Sequence, residues 1–316
     1  MIKSSTDKKK KKYKITNWRE YNKALKTRGS LTFWFSEDFD KGWLANIDGK
    51  RQRGRPLTYS NTCITLILTL RHVFKLALRQ LVGFVESLLM LIGKALPVPE
   101  FSRLSRRATA PLSCLHLSSL KEGSHIVIDS SGLKVFGERE WLETKHGKQY
   151  QRKIWRKLHI GINDNGEIIA KEMTDHLTDD RALVESLLQQ AGIQYIDELL
   201  ADGGYDSHKI YQYSEAHQIK PIIPPPNHAV ISSEMNPTLR DQIVSYIKEK
   251  GYWSWYHKNQ YGRRNRVENT FYRLKTIFGR KLLSRKWNNQ QAETHLICCL
   301  LNKMTQAGMP QSVKAA

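Results

Sequence analysis

The 316-residue chain is 40% hydrophobic, enough for one large domain and a smaller one around a real core. Its net charge of +21, from 51 Lys+Arg against 30 Asp+Glu, points to a polyanionic partner, and to nucleic acid ahead of a membrane surface. Four cysteines, Cys63, Cys114, Cys298 and Cys299, include no C-x-x-C pair, which argues against a zinc site or disulfide framework and for a reducing, bacterial cytoplasm.

Residues 1–14 read as a disordered basic arm with no apolar run, so not as a signal peptide. Asn17 is placed to cap a helix from Trp18 to Thr27, and Trp34, Phe35, Trp43 and Leu44 mark an aromatic packing cluster. Arg53-Gly54-Arg55-Pro56 has the composition of a minor-groove arm, in which Gly keeps the backbone thin and Arg enters a narrow groove; a basic loop before a helix is the plainer reading. Ser60 opens a helix over Asn61 to Lys75, a second covers Leu78 to Gly93, and Pro97 and Pro99 end it. A short basic helix, Ser102 to Ala108, carries Arg106 and Arg107. Charges at Arg71, His72, Lys75, Arg79, Glu86 and Lys94 make this apolar stretch buried helix, not membrane span. Residues 15–115 thus suit an all-α, helix-turn-helix-like DNA-binding domain, although periodicity fits an ordinary three-helix bundle equally.

From residue 120 to 308 the pattern is α/β, with residues 309–316 as a tail. His125 to Asp129 is a short buried strand ending at Ser130-Ser131-Gly132. Leu158 to Asn163 and Ile168 to Thr174 are two more, joined by an Asn165-Gly166 hairpin turn. A helix over Asp179 to Ala191, a strand over Asp197 to Ala201, a helix over Ser207 to His217 and a strand over Ile219 to Ile223 follow. Asn236-Pro237 opens a helix ending at Gly251, with Asn as cap and Pro in the first turn. The helix carrying Glu268 comes next, and a last helix covers Asn289 to Ala307. The order predicts a mixed sheet flanked by helices.

Three acids carry the chemistry. Asp129 and Asp202 end strands, so if those strands are parallel neighbours both carboxylates emerge at one sheet edge. Glu268 sits in Tyr261, Arg264, Glu268 and Lys275, spaced Y-x2-R-x3-E-x6-K, which share an arc of roughly 60° on a helix. Residues 256–286 hold ten Lys/Arg and this one acid. Three hard oxygen donors suit Mg²⁺ or Mn²⁺, and two such ions can activate an attacking oxygen and stabilise a leaving one. Taken singly, each Asp lies in an ordinary turn sequence, and Glu268 makes an ordinary helical ion pair. The stretch Lys145 to Lys157, with Lys153, Arg156 and Lys157 among six Lys/Arg and no acid, reads as a DNA contact, and Tyr252, Trp253, Trp255 and Tyr256 as a base platform or as packing. Asp206 reads as a partner of the metal site or a helix cap.

Ile128 to Val135, Trp155 to His159, Asp202 to Asp206 and Tyr261 to Lys275 resemble the IS5-type branch of the DDE insertion-sequence transposases, and the resemblance runs from about residue 15 to residue 305. Gly204 stands where that pattern suggests Ala, and Pro226 where it suggests a basic residue. The resemblance implies an RNase H-like catalytic domain with Asp129, Asp202 and Glu268 as metal-binding triad, and Tyr261, Arg264 and Lys275 holding DNA near the cleaved phosphate. It implies double-stranded DNA partners, terminal inverted repeats and target alike, and a homodimer when two ends are joined. Two rivals fit the same residues: a nuclease that cuts without joining, and a non-catalytic DNA-binding relic.

Overall fold

The computed structural model describes residues 13–36, 38–45, 58–135, 155–232 and 235–314. Arg53, Arg55 and Lys153, with most of the basic arm and of the Lys145–Lys157 stretch, lie outside the described residues.

The chain opens with β1 (Tyr13–Ile15), α1 (Trp18–Arg28) and α2 (Leu31–Trp34). Asn17 does not use its side chain as a cap. Its Nδ2 donates to Met309 O at 2.9 Å and its Oδ1 accepts from Gln311 N at 2.7 Å. Two ends of the sequence are thereby tied: β1 pairs antiparallel with β8 (Ser312–Lys314), in residues expected as arm and tail.

The helical region holds α3 (Asn61–Phe74), α4 (Leu78–Leu91), α5 (Phe101–Arg106) and α6 (Pro111–Cys114). Ser60 caps α3 as expected, its Oγ accepting from Cys63 N at 2.9 Å. Trp43 is fully buried in the same core and donates to Pro97 O at 2.7 Å.

The α/β region begins with β2 (Ser124–Val135), β3 (Trp155–Ile162) and β4 (Ile168–Asp175). After α7 (Val184–Ala191) come β5 (Ile196–Leu200), α8 (His208–Ala216) and β6 (Lys220–Ile222), then α9 (Leu239–Lys250), α10 (Tyr252–Lys258), α11 (Asn265–Phe278), β7 (Lys281–Leu282) and α12 (Trp287–Gln306). The sheet order is β4-β3-β2-β5-β6, with β7 added at the far end of β2. β3 and β4 form the antiparallel side; β5 and β6 run parallel to β2. This is the mixed sheet that the order of elements predicts. The hairpin between β3 and β4 turns at Gly166, whose φ of 75° favours glycine.

Helices cover both faces. Val127, Leu158 and Ile160 pack against Val267, Phe271 and Leu274 of α11 and Leu301 of α12. Ile126, Ile128 and Leu199 pack on the opposite face against Leu187 and Leu188 of α7 and Ile210 of α8. Leu296, Leu300 and Met304 of α12 join the core of α3, α4 and α5, so the helical region and the sheet region meet on α12. Burial pushes the thiols of Cys63, Cys298 and Cys299 up to about 12, and all are free. Among the described residues no helix is long and apolar enough to cross a membrane.

Several boundaries differ from expectation. β2 does not stop at Asp129 but continues to Val135, because Ser130 to Lys134 keep antiparallel partners on β3. α9 begins at Leu239, capped by Thr238 and Asp241 in a capping box, and not at Asn236. The segment before Glu268 is not one helix: Tyr261–Arg264 is a 3₁₀ turn and α11 starts at Asn265. Asp206 caps nothing. It meets Arg240 in a bidentate pair at 2.7–3.1 Å, the two side chains 6% and 10% exposed. Arg240→Ala leaves a buried carboxylate unpaired and is expected to cost about 3–5 kcal/mol, checked by urea unfolding.

Candidate active site

Alternation along two parallel strands brings the acids together. On β2, Val127, Ser131 and Leu133 face α11, and Asp129 shares their parity. On β5, Leu200 faces α11, so Asp202 two residues on does too. Val127 pairs with Leu200, and that register carried forward puts Asp129 level with Asp202. Glu268 lies in the first turn of α11 above them.

Each Asp has one oxygen fixed by backbone. Asp129 Oδ1 accepts from Ser130 N at 2.8 Å, and Asp202 Oδ1 from Gly204 N at 2.9 Å. The other oxygens turn to one guanidinium. Arg264 lies 3.5 Å from Asp129 Oδ2, 3.6 Å from Asp202 Oδ2 and 2.6 Å from Glu268 Oε1. Burial works against the Arg264 charge, but Tyr261, Asp129, Glu268 and Asp202 outweigh it and hold its pKa above the ordinary value. Its Nε is buried without a partner.

Asp129 shows the opposite balance. Burial raises its carboxyl above the usual carboxylate range, Ser130 N–H and Arg264 pull it down, and Asp202 and Glu268 add to the rise. Lys275 reaches the same strand, Nζ donating to Ser131 Oγ at 2.6 Å. Burial first, then Arg280, holds its amine below the ordinary value.

Tyr261 is 7% exposed, and its hydroxyl donates to Ala201 O at 3.1 Å, one residue before Asp202. Its ring packs on Trp255 and Tyr256. The phenol therefore anchors the end of β5 and is not turned to solvent. Lys157 donates to Asp180 Oδ1 at 2.7 Å and Thr178 O at 2.9 Å; Arg107 donates to Tyr59 O and to Asn61 Oδ1 at 2.7 Å. Arg156 donates to Gln290 Oε1 at 3.0 Å and stacks on Trp287, while Arg106 is exposed. Trp255 is core, 3% exposed, whereas Trp253 is 67% exposed.

Asp180 carried no signal in the sequence. It accepts from Ser130 Oγ at 2.5 Å and from Lys157; burial would raise its carboxyl, but these two bonds hold it below the ordinary range. Gly204 packs closely on the acid: a Cβ there would stand 2.9 Å from Asp202 Oδ1, so the carboxylate or the turn would have to shift.

Among the described residues no group of three His, Cys, Asp or Glu is spaced, as it stands, to hold a metal ion. The donor chemistry nevertheless fits a hard cation: three carboxylate oxygens converge on one positive group, Arg264.

A family model described as a transposase DDE domain matches residues 120–303, and a second of the same description matches residues 26–138. Among solved structures, the chain is similar to one in a simian T-cell lymphotropic virus intasome in complex with PP2A regulatory subunit B56 gamma. Identity is 11% over 68% of this chain and 74% of that one, with a TM-score of 0.24. A Mos1 mariner paired end complex with Mn gives 12% over 81% and 88%, TM-score 0.22, and a pre-cleavage Mos1 transpososome 12% over 71% and 82%, TM-score 0.22. At such scores the pairs share too little backbone for any conclusion about this chain.

Because the folded chain holds the Asp129 proton more tightly than the unfolded chain, ionising Asp129 costs stability. That cost is absent below the ordinary carboxyl value of 3.8 and is complete once pH has risen through the raised one. Asp129→Asn is expected to raise Tm at neutral pH in chelator, by roughly a few degrees. The gain closes as pH falls through the carboxylate range; an unchanged or lower Tm at neutral pH contradicts it.

Proposed function

This chain belongs to the DDE transposases, and from that premise we propose that it cuts and rejoins DNA at the ends of an insertion sequence, with Asp129, Asp202 and Glu268 as its metal ligands. The observation that carries this reading is the convergence of three carboxylates, from β2, the end of β5 and α11, on the single guanidinium of Arg264.

Divalent ions such as Mg²⁺ or Mn²⁺, held by these carboxylates, supply Lewis-acid stabilisation of the attacking and leaving oxygens. The protein's own part is positioning. Ser130 N–H and Gly204 N–H fix one oxygen of each Asp, and the other, now turned to Arg264, is the one that would hold an ion. Tyr261 holds the carbonyl before Asp202. Lys275 and Arg264 offer positive charge for the phosphate, Arg264 by giving up carboxylates it now pairs.

In the first step water oxygen bonds to phosphorus and the P–O3′ bond breaks, leaving a 3′-OH on the element and a 5′-phosphate on the flank. In the second, that 3′-OH attacks a target phosphodiester, forming a new P–O bond and releasing a target 3′-OH. No covalent enzyme–DNA intermediate is needed. Terminal inverted repeats would be recognised by the helical region with Arg106, Arg107 and the Arg53–Arg55 segment, and two copies of the chain would act together to join two ends.

The test is a Mg²⁺-dependent cleavage and joining assay on DNA carrying the element's ends. End-specific nicking and strand transfer are expected from wild type, with a loss of at least about a hundredfold in Glu268→Ala. Cutting without joining would replace the transposase with a nuclease. Binding without cutting, in Mn²⁺ as well, would leave a DNA-binding relic.

A further inference from the structure

Away from the carboxylates, a groove of about 1160 Å³ separates the helical region from the segment joining β7 to α12. Arg71 of α3, Arg79 of α4 and Arg106 of α5 line one wall; Arg285, Lys286 and Trp287 line the other. Among the described residues its lining contains no carboxylate. Glu293 lies nearby, but its oxygens accept from Leu283 N at 2.7 Å and Ser284 N at 2.8 Å.

The walls are held before any ligand arrives. Glu293 and Gln290, 6% and 0% exposed, pin the segment from below, Gln290 Nε2 donating to Ser284 O and Arg285 O at 3.1 and 3.2 Å. Asn289 Nδ2 donates to Ser105 O at 3.2 Å and ties the walls together. Arg79 stacks on Phe101 at 4.6 Å, which restrains its guanidinium. Arg71 keeps an Nε that is buried and bonded to nothing, an N–H donor whose desolvation is uncompensated in the protein alone.

A clustered set of cations with a spare buried donor and a pinned wall is a site for anions. Its volume exceeds the roughly 300–1,000 Å³ of small-ligand pockets, so a run of phosphates fits it better than a single one. The groove is linked to the strands of the site: β7, which leads into its wall, pairs with β2 at Lys134, five residues past Asp129, and Arg156 of β3 stacks on Trp287.

We propose that this groove is a track for the sugar-phosphate backbone of duplex DNA, with Arg71, Arg79 and Lys286 contacting phosphates. The inference deepens the transposase reading by naming a surface along which DNA leads to the site.

Backbone contacts are independent of sequence, so the probe is a short random-sequence duplex, bound to the full chain in chelator across a salt series. Arg79→Ala/Lys286→Ala is expected to reduce the slope of log K against log salt by about two, at about 0.9 per phosphate contact, and to weaken binding roughly tenfold or more at moderate salt. Arg71→Gln, checked for an unchanged Tm, should reduce it by about one. Lys209→Ala/Lys250→Ala removes the same charge elsewhere and should change the slope far less. Groove variants that match this control overturn the proposal and leave the cleavage reading standing. A groove-dependent slope in a protein that never cuts its ends supports the groove and removes the cleavage reading.

Discussion

Strand register is the constraint on which the rest depends. Val127 against Leu200 sets Asp129 level with Asp202 and turns both to the face covered by α11. A slip of one residue would send Asp129 to the other face, where Ser130 now meets Asp180. Such a slip would also take Val127 and Leu133, both under 3% exposed, out of the core they share with α11 and α12, so that packing favours the register that gathers the acids. The acids themselves oppose that arrangement, and Arg264 offsets their mutual repulsion from a half-buried position where its charge is worth more than in water.

The same arrangement explains why the surroundings are built so firmly. Asp129 and Asp202 each spend one oxygen on a backbone N–H, and the Tyr261 hydroxyl, Lys275 and Asp180 brace the strands that carry them. These are hydrogen bonds from rigid elements, and rigid elements hold a reactive geometry better than loops do. The stability forgone by burying Asp129 is the familiar exchange between a poised site and a relaxed one.

Much of this was legible in the residues. Short apolar runs mark β4 and β5 to within a residue and β3 to within three, Ser60 marks a true cap, and the three acids stand out by their place at strand ends and on the basic helix. The errors share one cause: a local pattern overridden by a distant partner. Asp129-Ser130-Ser131-Gly132 has turn composition, yet β3 supplies partners that keep it extended. Tyr261 shares a helical face with Arg264, Glu268 and Lys275 by spacing, yet it lies in a 3₁₀ turn where Trp255 and Ala201 take its ring and hydroxyl. Asp206 reads as a cap, while Arg240, 34 residues on, takes both its oxygens. Asn17 precedes a helix, but Met309 and Gln311 occupy its amide. Sequence spacing carries no record of such contacts.

One further consequence follows from α12. Leu296, Leu300 and Met304 complete the core of the helical region, while Ile297, Cys298 and Leu301 complete the core beneath the sheet. Asn302 also receives the start of β4, accepting from Ile168 N and donating to Ile168 O, both at 2.7 Å. During synthesis, therefore, neither core can close until residues 287–306 have left the ribosome, although every other strand and helix of those cores is made earlier. The nascent chain must wait with its apolar faces uncovered, unlike a protein whose domains fold one after another as they emerge. Translation through α12 is then the moment at which both halves become native together.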